Sequence, residues 1–77
     1  MYTIELSHYK DFEGFTHTEI FDVIEEITTA ERWYNDFVNN GNTLDGFNGE
    51  IAVRDMGGKI MSTFWVNNAW QNQQYGV

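Results

Sequence analysis

The chain has 77 residues and a mass of 9.0 kDa, with twelve acids against four bases, a formal charge of -8 and no cysteine. That length holds one small domain and excludes a two-domain enzyme. The lack of cysteine excludes a disulfide framework and a thiolate zinc site, and fits a reducing, cytoplasmic setting. With 42% hydrophobic residues and thirteen Phe, Tyr and Trp, the chain is rich enough in apolar mass to fold, unlike an acidic disordered tail. A pI near 4.3 opposes direct binding to nucleic acid or to an anionic membrane, since phosphate recognition draws its affinity from Lys and Arg. No basic leader precedes an apolar run, and no apolar stretch is long enough to span a bilayer, so neither export nor membrane insertion is expected.

In chain order, Tyr2, Ile4, Leu6 and His8 alternate with Thr3, Glu5, Ser7 and Tyr9, which predicts a half-buried strand over residues 2 to 9. Lys10 to Gly14 supplies a turn, and Phe15 to Ile27, rich in β-branched and aromatic residues, reads as the second strand of a hairpin. Ile20, Ile24 and Ile27 also stand at helical spacing, so the competing reading is one helix over about residues 18 to 39. The strand is preferred because Thr28-Thr29-Ala30-Glu31 matches a capping box that would start a helix afresh.

Ala30, Trp33, Tyr34, Phe37 and Val38 then fall on one helical face, predicting an amphipathic helix over about residues 29 to 40 that ends at Asn39-Asn40-Gly41. A glycine- and asparagine-rich connection leads to a second hairpin, Glu50 to Arg54 and Lys59 to Val66, turned at Gly57-Gly58 by positive φ values. The last strand has large apolar residues on both faces, as expected of an interior strand or of one with a face left for a partner. The expected fold is one α+β domain over residues 1 to 68 with ββαββ order, a four-stranded, mainly antiparallel sheet and one helix on one face. Its expected core is Ile4, Leu6, Phe21, Val23, Ile51, Val53, Ile60 and Phe64, with Trp33, Tyr34 and Phe37 from the helix. Residues 69 to 77 form an amide-rich tail, expected to be mobile unless Trp70 pins it.

His8 and His17 lie on the first hairpin and can face each other near Glu19 and Glu5, in the manner of a histidine and carboxylate metal site. Residues nine apart match no usual ligand spacing, and the expectation is no metal, no cofactor and no catalytic residue, because no nucleophile with a neighbouring base is recognisable. Asp36 to Asn42 resembles a calcium loop only in its glycine, with Val38 and Phe47 where oxygen ligands are required. Gly57-Gly58-Lys59 lacks the phosphate-loop pattern.

Charge is the stronger signal. Residues 1 to 31 hold eight acids against Lys10, while residues 32 to 77 hold four acids against three bases. A run of acids is commonly just a solvated face, but concentrating charge costs folding energy by self-repulsion, which points to a basic partner. The candidate partner-binding residues are Glu5, Asp11, Glu13, Glu19, Asp22, Glu25 and Glu26. On a continuous strand Asp22 and Glu26 would share a face about 13 Å apart, with Glu5 nearby, forming a carboxylate array. Tyr9, Phe12, Ile20 and Ile24 would serve as apolar anchors.

In size, acidity, absence of cysteine and strand-strand-helix-strand-strand order, the chain resembles the small acidic proteins that bacteriophages encode against host defence, the anti-CRISPR and anti-restriction inhibitors, several of which are DNA mimics. The resemblance implies a stoichiometric inhibitor acting in the host cytoplasm on the basic, nucleic-acid-binding surface of a CRISPR effector or restriction system. It carries over no individual residue. The alternative is an acidic adaptor or oligomerising structural protein, such as a homodimer, that uses exposed aromatics including Trp65 and Trp70.

Overall fold

A computed structural model describes residues 1–68 of the chain; the expectations for Trp70 and the tail lie outside the described residues. Within the described residues, four strands and one ten-residue α-helix follow the order β1 (Tyr2–Tyr9), a 3-10 turn (Asp11–Glu13), β2 (Phe15–Ile24), α1 (Ala30–Asn39), β3 (Asn48–Asp55) and β4 (Ile60–Asn67). The strands form one antiparallel sheet in the order β2-β1-β3-β4, which is the expected α+β fold.

Period-two alternation in β1 sends Ile4 and Leu6 to the helix side, where their cross-strand partners are Val53 and Ile51. These four side chains are the largest fully buried ones, and they sit on the two inner strands. Helix α1 lies above β3 and β4, with Ala30 buried and Trp33 and Tyr34 against the core. Its N-cap is Thr29, whose Oγ1 accepts from the Arg32 amide at 3.1 Å. The cap therefore sits one residue later than the expected box, whose Glu31 is displaced from the reciprocal position. The Ala30 amide, another helix-end donor, reaches Ser62 Oγ at 3.0 Å.

Several expectations are corrected. The second strand ends at Ile24 rather than Ile27, because Ile24 pairs with Tyr2, the first residue of β1, and nothing in β1 remains to pair beyond it. The single helix over residues 18 to 39 is excluded by the same pairing. In the second hairpin only Gly58 has positive φ, at 87°, and the turn is fastened by Asp55 Oδ1, which accepts from the amides of Gly57 and Lys59 at 2.9 Å each. β4 is an edge strand, not an interior one.

Phe64 packs against the core as expected, whereas Phe21, Val23 and Ile60 are 41%, 48% and 47% exposed. All three lie on edge strands: Val23 pairs with Thr3 on the face away from the helix, and Ile60 pairs with Arg54 beside a bulge. Phe21 is the extra residue of a bulge in β2 and meets the Trp33 and Phe37 rings at centroid distances of 5.8 and 5.6 Å instead. Ala30 is buried at the start of the apolar helix face, and the buried hydrophobic positions not anticipated are Phe47, Ala52 and Val66.

Candidate functional site

The first hairpin carries most of the acidic residues. Its outer strand, β2, is exposed along nearly its whole length, and as an edge strand it presents one row of backbone N–H and C=O groups away from the sheet. Six acids and no Lys or Arg fall between residues 11 and 26. Asp11 and Glu13 stand in the 3-10 turn at one end, Glu19 and Asp22 on the strand, and Glu25 and Glu26 in the bend at the other end. Asp11 takes a left-handed backbone, φ 34°, and next to it Phe12 is fully exposed.

The expected carboxylate array on one sheet face does not form. Glu26 is off the strand, where it lines a hollow of about 400 Å³ with Arg32 and Asp36. Glu5 lies on the face away from the helix and accepts from Arg54 Nε at 2.9 Å, so this acid is already neutralised. Glu13 lies 3.9 Å from Lys10 Nζ. Of the expected anchors, Phe12 and Ile20 are exposed, while Ile24 packs on the core and Tyr9 is half-buried. The structure therefore collects six of the seven candidate acids along β2 and its ends and not over one face, with Glu19 turned onto the face shared by His8 and His17.

Glu19 stands apart from the other acids. His8 on β1 pairs directly with His17 on β2, and Glu19, two residues along β2, shares their face of the sheet. His8 Nε2 lies 3.1 Å from Glu19 Oε1 and His17 Nε2 3.4 Å from Oε2. An ionised carboxylate only accepts, so both rings donate Nε2–H. The hydrogen bond from His8, then that from His17, holds the Glu19 carboxyl below its usual value of 4.5. Among the described residues this is the group in which three potential metal ligands converge, their donor atoms within 4.8 Å of one another. The sequence set the two histidines opposite each other near Glu19 and Glu5; the register brings Glu19 to them, while Glu5 lies on the other face with Arg54.

The face away from the helix is uncovered among the described residues. At one end Tyr9, Phe15 and Trp65 form an aromatic cluster, Tyr9 edge-to-face with both and Phe15 tilted against Trp65, with Trp65 centred 5.2 Å from Tyr9 and 6.4 Å from Phe15. Phe15 and Trp65 remain about half exposed.

No protein-family model matches the chain, and no curated protein or solved structure matches it at a significant level. No helix among the described residues is long and apolar enough to cross a membrane.

Proposed function

We propose that the protein is a stoichiometric, non-catalytic inhibitor that docks the acidic outer edge of β2 on the basic, nucleic-acid-binding surface of a host defence protein. One observation carries the reading: six acids and the exposed apolar side chains of Phe12, Ile20 and Val23 lie along β2, whose outer edge is unpaired, and at its two ends. Ten extended residues span about 33 Å, over which a duplex would present about twenty phosphate charges. Six carboxylates are too sparse for imitation of phosphate alone. Apolar anchoring and pairing of the strand edge with the partner's backbone must then supply much of the affinity, while charge steers the encounter and selects a basic surface. The choice of a CRISPR effector or restriction system as target rests on the resemblance of class.

The test is capture of the partner from nuclease-treated host lysate at low and high salt, followed by competition with a duplex oligonucleotide. Retention should fall as salt rises, the oligonucleotide should displace the partner, and Asp22→Lys with Glu25→Lys and Glu26→Lys should abolish capture without unfolding the protein. Phe12→Ala should weaken capture at unchanged stability, since that ring is fully exposed. A second reading is favoured by the Tyr9, Phe15 and Trp65 cluster: an adaptor or self-associating protein that uses its uncovered sheet face. Capture that survives high salt and the three charge reversals but is lost in Trp65→Ala selects this second reading.

A further inference from the structure

We propose that His8, His17 and Glu19 form a binding site for a divalent transition-metal ion, with zinc as the reference occupant. The donor set is two imidazole nitrogens and one carboxylate oxygen, all within 4.8 Å of one another. Zinc holds nitrogen and oxygen ligands at about 2.0 to 2.2 Å, and in a tetrahedron those bonds place the ligand atoms about 3.3 Å apart. Each imidazole nitrogen already stands at that spacing from one oxygen of the carboxylate, His8 Nε2 at 3.1 Å from Oε1 and His17 Nε2 at 3.4 Å from Oε2. Bringing the imidazoles to the same spacing requires only side-chain rotation, for His8, His17 and Glu19 side chains are 36%, 58% and 44% exposed.

The backbone places the set where it can be held. His8 and His17 are direct cross-strand partners, and the register slips immediately after them, where Tyr9 pairs with Phe15. The buried Phe47 ring stands edge-on to His8 at 5.0 Å and limits its orientation. Both imidazoles direct Nε2 at the Glu19 carboxylate, which their hydrogen bonds keep ionised. A metal ion takes the place of the two bridging hydrogens: each neutral ring coordinates through Nε2 as the tautomer that carries its single hydrogen on Nδ1, while the carboxylate remains the anion.

The chemistry of the donors selects the ion. Imidazole nitrogen favours zinc, copper, nickel and iron over magnesium and calcium, which prefer all-oxygen shells. Three protein ligands leave positions open. Two of the three, His8 and Glu19, also line a hollow of about 300 Å³ bounded by the loop containing Thr43, Asp45 and Phe47, with space for water or a small anionic ligand. Asp45 adds negative charge to that wall without joining the three-ligand group.

The test uses the untagged full chain, stripped of metal by a chelator and dialysed, then titrated with zinc chloride near neutral pH in a non-coordinating buffer. One ion per chain should bind, and the ring signals of both His8 and His17 should move together on titration. His8→Ala, His17→Ala and Glu19→Gln should each weaken zinc binding at least about tenfold, the scale on which metal sites respond even to loss of outer partners. Excess magnesium should leave the isotherm unchanged. Backbone amide spectra confirm that each variant is folded; His17, the most exposed of the three, decides the matter if His8→Ala disturbs the hairpin. Zinc affinity unchanged in His17→Ala, ring signals that stay in place at saturation, or the absence of a saturable isotherm would each overturn the assignment. In those cases any bound zinc belongs to the acidic surface, and the cluster is held by hydrogen bonds alone.

Discussion

Arg54 donates its Nε–H to Glu5 across the β1 and β3 ladder at 2.9 Å, and through Nη1 donates to the Gly58 carbonyl at 2.7 Å. One guanidinium thereby ties the centre of the uncovered sheet face to the turn of the second hairpin. The Glu5 side chain is only 18% exposed, so removing Arg54 leaves a largely covered carboxylate without its charged donor. Arg54→Ala is expected to cost about 1.5 to 3 kcal/mol, as for other hydrogen bonds to charged groups. Adding Glu5→Gln should recover part of the loss, because the orphaned charge is gone. Urea denaturation of the two single variants and the double variant measures the coupling; strictly additive losses would show that the pair does not interact.

Gly49 sits opposite His8 in the β1 and β3 register, and a Cβ there would overlap the Ser7 carbonyl oxygen and crowd the Phe47 ring. The obstacle is backbone, which cannot swing aside as a flexible side chain would. Gly49→Ala should therefore destabilise by about 1 to 3 kcal/mol and separate β1 from β3 at that rung. The amide signals of Ser7 to Tyr9 should lose exchange protection, and the ring signal of His8 should shift as Phe47 moves. Unaltered protection at those amides would show that the ladder relaxes freely there.

The fold was legible because its strongest signals are local. Alternation in β1, the apolar face of α1 and the glycine-containing turns identified the elements, and β1 was delimited to the residue. What stayed hidden depends on which strands become neighbours. Phe21, Val23 and Ile60 look as apolar as Ile4 or Val53 in sequence, yet strand order, together with the bulges and the face each residue takes, leaves the former exposed at the edges and the latter buried at the centre. Phe47 was missed because it lies in an asparagine- and glycine-rich segment with no periodicity, although Gly49 beside it marks the close approach that seats its ring. The acids were legible as a cluster but not as an edge, since the end of β2 at Ile24 is fixed by where β1 begins.

Thr29 caps α1 and is not packed in the core, so its substitution isolates a single interaction. Thr29→Ala removes the acceptor of the Arg32 amide and should cost about 1 kcal/mol. Thr28→Ala, which removes a hydroxyl that does not cap the helix, should cost less. Thermal unfolding of the two variants checks the order, and a larger loss in Thr28→Ala would place the cap at the neighbouring residue.

Glu19 is expected to titrate below the usual 4.5 in metal-free protein, because His8 and then His17 donate to its ionised form. A carboxyl whose folded-state pKa is lowered adds stability that is complete above its unfolded value and fades as pH falls through the lowered folded value. Carboxyl carbon titration followed by NMR should show a low midpoint for Glu19 that rises toward the usual value in the His8→Ala, His17→Ala double variant. A midpoint that does not move on removing both rings would contradict the two hydrogen bonds as its cause.

The acidic edge also opposes pairing of β2 with a second copy. An exposed ten-residue edge strand carrying Phe15, Ile20, Phe21 and Val23 is a template for association, and charges at its ends and along its length resist the approach of an identical chain. Asp22→Asn with Glu25→Gln and Glu26→Gln changes the formal charge from -8 to -5 without altering side-chain size. Sedimentation velocity should show greater association for this triple variant than for the wild type at low ionic strength. About 1 M salt, where the Debye length is about 3 Å, should narrow the difference by screening the wild type. Ile20→Lys placed in the triple variant should reverse the association, because it restores charge at the exposed middle of β2. Association that persists with Ile20→Lys but disappears with Trp65→Ala would mean that the copies meet through the uncovered sheet face, with the β2 edge left free.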